Sequence, residues 1–265
     1  MCDSTPTEST KPASTAPATD GEAAEAGGSG FNRVWREWIK PFLMVLVVVG
    51  SLRSAVADWN DVPTGSMRPT ILEGERIFVN KLAYDLKVPF TRLRLMEWSS
   101  PERGDVVVLY SPADGKRLVK RVMGVPGDVL EMRGGRLFVN GDPAAYASMG
   151  EADRDALGIE EEEAFGSLPE GLPEVVVWET VGSLTHPVTL TPSPFQSTIR
   201  NFEPRVVPEA SYFVMGDNRD NSRDSRYFGY VDRELIVGRA LAVVVSLDPT
   251  QSYSPRWDRF FFGLP

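Results

Sequence analysis

One cysteine and one histidine are all that the 265 residues contain, and each scarcity excludes something. Cys2 alone cannot build an internal disulfide framework, and cysteine-based zinc sites need several thiolates. A lone His186 rules out a multi-histidine metal centre and leaves few options for histidine-dependent catalysis. If the chain is an enzyme, its proton shuttle is another residue type. An excess of positive charge is absent too: 28 Lys and Arg face 37 Asp and Glu, a formal charge of -9. That balance argues against nucleic acid as the main partner, because phosphate-binding surfaces concentrate cations. No internal repeat is visible. What is present is a chain long enough for a substantial core. Its composition is close to the soluble average, and that average conceals three unlike regions.

Residues 1–30 are rich in Ser, Thr, Pro, Ala, Glu and Gly, closing on Gly27, Gly28, Ser29 and Gly30. With almost no large apolar side chain they cannot offset the entropy of ordering, so a disordered cytoplasmic tail is expected. Cys2 lies there, far from any apolar run, and reads as an incidental thiol rather than a lipoprotein cleavage site. Residues 31–58 hold the densest apolar run, Pro41 to Leu52. It is shorter than the ~20 residues that cross a bilayer, but Trp35 and Trp38 precede it and Trp59 follows. As a helix, Trp38 to Trp59 would rise about 31 Å, close to a hydrocarbon core of ~30 Å with interfacial aromatics at both ends. Arg33, Arg36 and Lys40 before the run place the N-terminus in the cytoplasm by the positive-inside rule. The expectation is one transmembrane anchor over 31–58. A buried core helix and a cleavable signal peptide are the alternatives.

From residue 59 to 265 short strand-like segments alternate with Gly, Pro and Asp turns. Examples are Arg76-Ile-Phe-Val79, Asp105-Val-Val-Val-Leu-Tyr110, Val129-Leu-Glu-Met132, Arg136-Leu-Phe-Val139 before Asn140-Gly141, and Ala240 to Ser246. This pattern predicts a mainly β sandwich or barrel. A short acidic helix is expected over Glu151 to Glu163, as a solvated surface insertion.

Three segments combine constrained backbone with reactive or charged side chains. In Val62-Pro-Thr-Gly-Ser-Met-Arg-Pro-Thr70, a serine follows glycine between two prolines, a rigid mounting for a nucleophile with amides and hydroxyls at hand for an oxyanion. A plain turn would look similar. In Leu118-Val-Lys-Arg-Val-Met-Gly-Val-Pro-Gly-Asp128, strand alternation sets Lys120 on the side of Leu118 and Val122, and Arg121 on the other. If that side faces the core, desolvation lowers the lysine pKa and makes a neutral amine available as a base; a surface strand leaves it in water. Val214 to Gly229 is dense in Asp, Asn, Ser and Arg, suited to fixing a long irregular loop by salt bridges. A calcium loop is disfavoured there by the interleaved arginines and the missing bidentate glutamate.

Taken in order, Pro63 to Thr70, Lys120 to Asp128 and Gly216 to Arg226, joined by Arg103-Gly-Asp-Val-Val-Val-Leu109, resemble the boxes of bacterial type I signal peptidase. The resemblance runs from about residue 35 to 250 and matches 141–210 only loosely. It implies a membrane-anchored, signal-peptidase-like β fold with an inserted second subdomain over roughly 141–210, preceded by one transmembrane helix. It implies a serine endopeptidase that removes signal peptides after a small-x-small pattern, with Ser66 as nucleophile and Lys120 as general base, and without a cofactor. The same resemblance assigns the oxyanion hole to the Ser66 N–H and the Thr64 hydroxyl, where the family often has serine. Ser222 would orient Lys120. Arg121, Asp217, Asp224 and Arg226 would form the supporting ion pairs, and Pro63, Met67 and Val119 would line a groove that takes the substrate as an added strand. Implied partners are secreted preproteins and the lipid bilayer, with the protein-export machinery as an open further one. The catalytic domain would lie outside the cytoplasm, on a single-pass inner-membrane anchor. His186, in the loosely matched insertion, is expected to be structural or incidental. Two rival readings share parts of the pattern: a self-cleaving Ser-Lys repressor, which should carry a DNA-binding domain instead of an anchor, and an anchored β domain that binds partners without catalysis.

Overall fold

The computed structural model describes residues 33–88, 91, 93–157, 175–191 and 199–265; the expected tail with Cys2, and residues 158–163 of the acidic stretch, lie outside the described residues. The chain divides into two compact units, Met1–Val48 and Val49–Pro265. A π-helical turn, Trp35–Ile39, leads into helix α1, Lys40–Ala55, whose 16 residues rise about 24 Å. Among the described residues no helix is long and apolar enough to cross a membrane. The helix expected over 31–58 ends at Ala55, short of its expected bound. After Ala55 the chain enters strand β1, Ala57–Val62, where Asp58, Asn60 and Asp61 are poor helix formers. Trp59 lies on a strand rather than on the expected helix and opposes Phe78 across the β1 ladder, ring edge to face at 5.7 Å.

The second unit is mainly β among the described residues. After β1 come β2 (Glu75–Asn80), β3 (Asp85–Lys87), β4 (Arg94–Glu97), β5 (Val106–Tyr110), β6 (Arg117–Gly124), β7 (Val129–Arg133), β8 (Arg136–Val139), β9 (Asp142–Pro143) and β10 (Ala145–Ser148). A short helix α2 (Glu151–Ala156) follows at the start of the expected acidic helix, then β11 (Val175–Val181), β12 (Leu184–Leu190), β13 (Phe202–Val206), β14 (Ser211–Met215), helix α3 (Ser225–Phe228), β15 (Val231–Asp232), β16 (Ile236–Asp248) and β17 (Ser254–Pro255). The main sheet runs β1-β2-β16-β5-β6-β14-β15, with β17 on β16. Register breaks bend the long β16 between its partners β2 and β5. Smaller sheets, β13-β7-β8-β9 and β10-β11-β12, are set into it, and β3-β4 forms a separate hairpin. Asn140 and Gly141, at φ 55° and 90°, make the tight β8–β9 turn that this residue pair favours.

Both faces of the main sheet are covered, which explains why β5 is apolar without alternation. Val106 and Val108 join Val62, Met67, Ile71 and Val243 on one side, while Val107 and Leu109 join Val122, Val214 and Ile236 on the other. A third cluster unites Met123 and Phe213 of the main sheet with Leu130, Leu137, Val181 and Phe202 of the inserted ones. The insertion therefore shares a core with the sheet that carries the site. The same double coverage leaves Lys120 and Arg121 both buried on β6.

Candidate active site

Ser66 sits on a single 3-10 turn, Gly65–Met67, directly after β1. The turn is closed by Arg68 N–H donating to the Gly65 carbonyl at 3.1 Å and Ile71 N–H to the Met67 carbonyl at 3.0 Å. A Cβ at Gly65 would come 2.9 Å from Glu73 Oε1 and 3.2 Å from the Arg68 side chain, so a larger residue before the serine would require those flexible side chains to shift. Lys120 Nζ reaches across from β6 and hydrogen-bonds Ser66 Oγ at 2.5 Å. Lys120 is 2% exposed. Burial pushes its ammonium down to about 8, against the Asp224 and Asp217 carboxylates, which favour the charged form. In this arrangement, a lysine whose burial lowers its pKa hydrogen-bonds a serine hydroxyl, the geometry in which an amine can accept the hydroxyl proton.

The loop after β14 holds this pair in place. Asn218 N–H donates to the Ser66 carbonyl at 3.1 Å, and Gly216 N–H donates to Asp224 Oδ2 at 3.0 Å. Gly216 has no space for a side chain, since a Cβ there would fall 2.4 Å from the Ser66 carbonyl oxygen and 2.3 Å from Ser222 Oγ. Arg121 donates to both Asp217 oxygens, at 2.9 and 2.8 Å, and the Thr70 hydroxyl adds a third bond at 2.5 Å. Burial alone would raise the Asp217 carboxyl; the Arg121 guanidinium overrides it and holds the group below the usual carboxylate range. Arg226 does the same for Asp224 through two 2.8 Å bonds. The four charged residues expected as a supporting set are thus assembled as two buried pairs beside the lysine.

Three expectations need correction. Ser222 does not bond Lys120: its hydroxyl is buried without a hydrogen-bond partner, turned over the bare backbone of Gly216. Met67 is fully buried and Val119 is 7% exposed, because both belong to the apolar cluster under the serine turn rather than to an open groove wall. Pro63 and Thr64 are exposed beside Ser66, so of the three groove candidates only Pro63 is at the surface.

Sequence reasoning missed Glu179. It sits on β11 with its carboxylate bound by the Arg219 guanidinium and by Tyr146 Oη–H at 2.6 Å. His186 Nε2 lies 3.3 Å from the same carboxylate and 4.0 Å from Asp217. Burial pushes Glu179 up and His186 down; for Glu179 the Arg219 charge wins and keeps it ionised. Thr189 N–H donates to the Asp217 carbonyl and Arg219 N–H to the Thr189 carbonyl, at 2.9 and 3.0 Å. The β11–β12 hairpin therefore braces the loop that holds the serine. The available signal was Glu179 itself, a charge in the middle of a valine-rich strand, which demands a buried partner.

A family model described as "Signal peptidase, peptidase S26" matches residues 35–245. The signal peptidase I of Pseudomonas fluorescens is 36% identical over 236 residues, covering 84% of this chain and 77% of that protein. That of Pseudomonas aeruginosa is 35% identical over 237 residues with the same coverage. A crystal structure of a signal peptidase I from Enterococcus faecalis V583 is 29% identical, spanning 53% of this chain and 97% of that one, with a TM-score of 0.30.

Proposed function

The chain belongs to the signal peptidase family, peptidase S26, whose members are serine peptidases, and on that premise we propose that it removes N-terminal signal peptides from exported preproteins with Ser66 and Lys120 as a catalytic dyad. The observation that carries the proposal is the 2.5 Å contact between Nζ and Oγ at a lysine whose burial makes the neutral amine accessible. Neutral Lys120 takes the Ser66 hydroxyl proton as the oxygen attacks the scissile carbonyl carbon. The resulting oxyanion is met by the Ser66 N–H and the exposed Thr64 hydroxyl. When the C–N bond breaks, Lys120 returns its proton to the departing amine, leaving an acyl-enzyme on Ser66. Lys120 then draws a proton from water, hydroxide attacks the ester, and the proton passes back to Ser66 as the signal peptide leaves.

Substrate entry as an added strand is supported by β1, whose outer edge is unpaired among the described residues and which leads through Pro63 into the serine turn. The anchor belongs to the proposal as well: Phe42, Met44, Val45 and Val47 are all exposed around α1, and a helix apolar on every side suits a lipid environment. The domain division follows from it, with a cytoplasmic tail, an anchor and an extracytoplasmic catalytic unit that includes the insertion.

The dyad makes a signed pH prediction. Protonated Lys120 cannot accept the serine proton, so kcat/KM for a preprotein rises with pH and levels off above an apparent pKa of about 8. A profile flat from pH 6 to 10 would exclude a lysine base.

A further inference from the structure

Strand β1 pairs on one side only, with β2. Strand β6 pairs with β5 from Arg117 to Arg121, but β14 reaches it only from Arg121 onward. Among the described residues, two strand edges are therefore unpaired, one along β1 and one along Arg117–Lys120. Each runs into one half of the dyad, β1 into the Ser66 turn and the other into Lys120. Away from the dyad a single bridge spans the two edges. Arg117 Nη2 donates to Asp58 Oδ2 at 2.8 Å, Lys81 Nζ lies 3.3 Å from the same oxygen, and the Arg117 guanidinium stands 6.0 Å over the Tyr110 ring. Arg117 and Asp58 side chains keep 31% and 15% of their surface, so the pair is open to exchange.

We propose that Arg117, held by Asp58 across these free edges, is a specificity-determining residue that reads the charge of the substrate at the fourth residue before the cut. The inference rests on the dyad reading above, and the spacing comes from the strand itself: Arg117 is three residues from Lys120, about 10 Å at ~3.3 Å per residue. A peptide laid between the edges with its first residue before the cut beside Lys120 brings its fourth preceding residue to the bridge. An acidic side chain there takes the guanidinium in place of Asp58, exchanging one ion pair for another at small cost. A basic side chain there faces two cations, Arg117 and Lys81, with one carboxylate between them. Asp58 thus keeps Arg117 extended over the groove while no substrate is bound.

The test uses the full chain in detergent and three peptides with alanine at the first and third residues before the cut, and Glu, Ala or Lys at the fourth. Wild type should favour Glu over Lys in kcat/KM by about 1.5- to fivefold, the range of solvent-exposed charge pairs. Arg117→Ala should level that ratio while cutting the Ala peptide at near wild-type rate, Arg117→Glu should invert it, and Asp58→Asn should enlarge it by releasing the arginine. An unchanged Glu-to-Lys ratio in Arg117→Ala, or no charge preference in wild type, overturns the role of Arg117. Wild type cutting none of the three peptides overturns the dyad reading instead.

Discussion

Lys120→Met is expected to lower preprotein cleavage by about 10²–10⁴-fold, the usual contribution of a positioned base, with no loss of folding stability. Methionine keeps most of the buried volume, and volume-conserving exchanges are well tolerated in cores. It also removes an amine whose burial disfavours its charge, so the unfolding midpoint should hold or rise. Lys120→Arg should be equally inactive, because a guanidinium keeps its proton at any working pH. Paired assays of turnover and denaturant unfolding separate the chemistry from the fold. Activity within tenfold of wild type in either variant contradicts the role assigned to the lysine.

Glu179→Ala should cost about 3–5 kcal/mol of unfolding free energy, the penalty for leaving a buried charge without its partner. Arg219 is 3% exposed and Glu179 fully buried, so the guanidinium loses its carboxylate partner away from bulk solvent. Tyr146 loses its acceptor at the same time, which adds the smaller cost of an unpaired buried hydroxyl. The effect extends to the site, because Arg219 and Thr189 are joined through backbone bonds to Asp217, and Asn218 holds the Ser66 carbonyl. Turnover should fall even at temperatures where the variant is folded. Chemical denaturation with kcat measured below the midpoint checks both parts, and a variant as stable as wild type would show that the inserted hairpin does not brace the loop.

What could be read in the sequence divides along a physical line. Local patterns were legible. The strands around Val106, Val129 and Arg136 follow from short apolar runs, and the Asn140–Gly141 turn from the left-handed conformation those residues accept. The pairing of Ser66 with Lys120, 54 positions apart, came from family resemblance, since spacing alone does not bring distant segments together. Partnerships made only by tertiary packing stayed hidden. Met67 looked like a groove residue because nothing in its neighbours shows that the serine turn caps an apolar cluster. Trp59 looked like a membrane marker because its distance from Trp38 matches a helix, and the competing β1–β2 ladder depends on Phe78, nineteen residues later. Glu179, His186 and Arg219 lie on three different segments, so their convergence is invisible until the inserted sheet folds against the main one.

The central claim is tested most directly by incubating the full chain, wild type and Ser66→Ala, with a signal-peptide-bearing preprotein and sequencing the N-termini of the products. The account predicts one new N-terminus from wild type, immediately after a small-x-small pattern, and none from Ser66→Ala. Cleavage by Ser66→Ala at the wild-type rate, or wild-type cuts scattered without regard to that pattern, would contradict it.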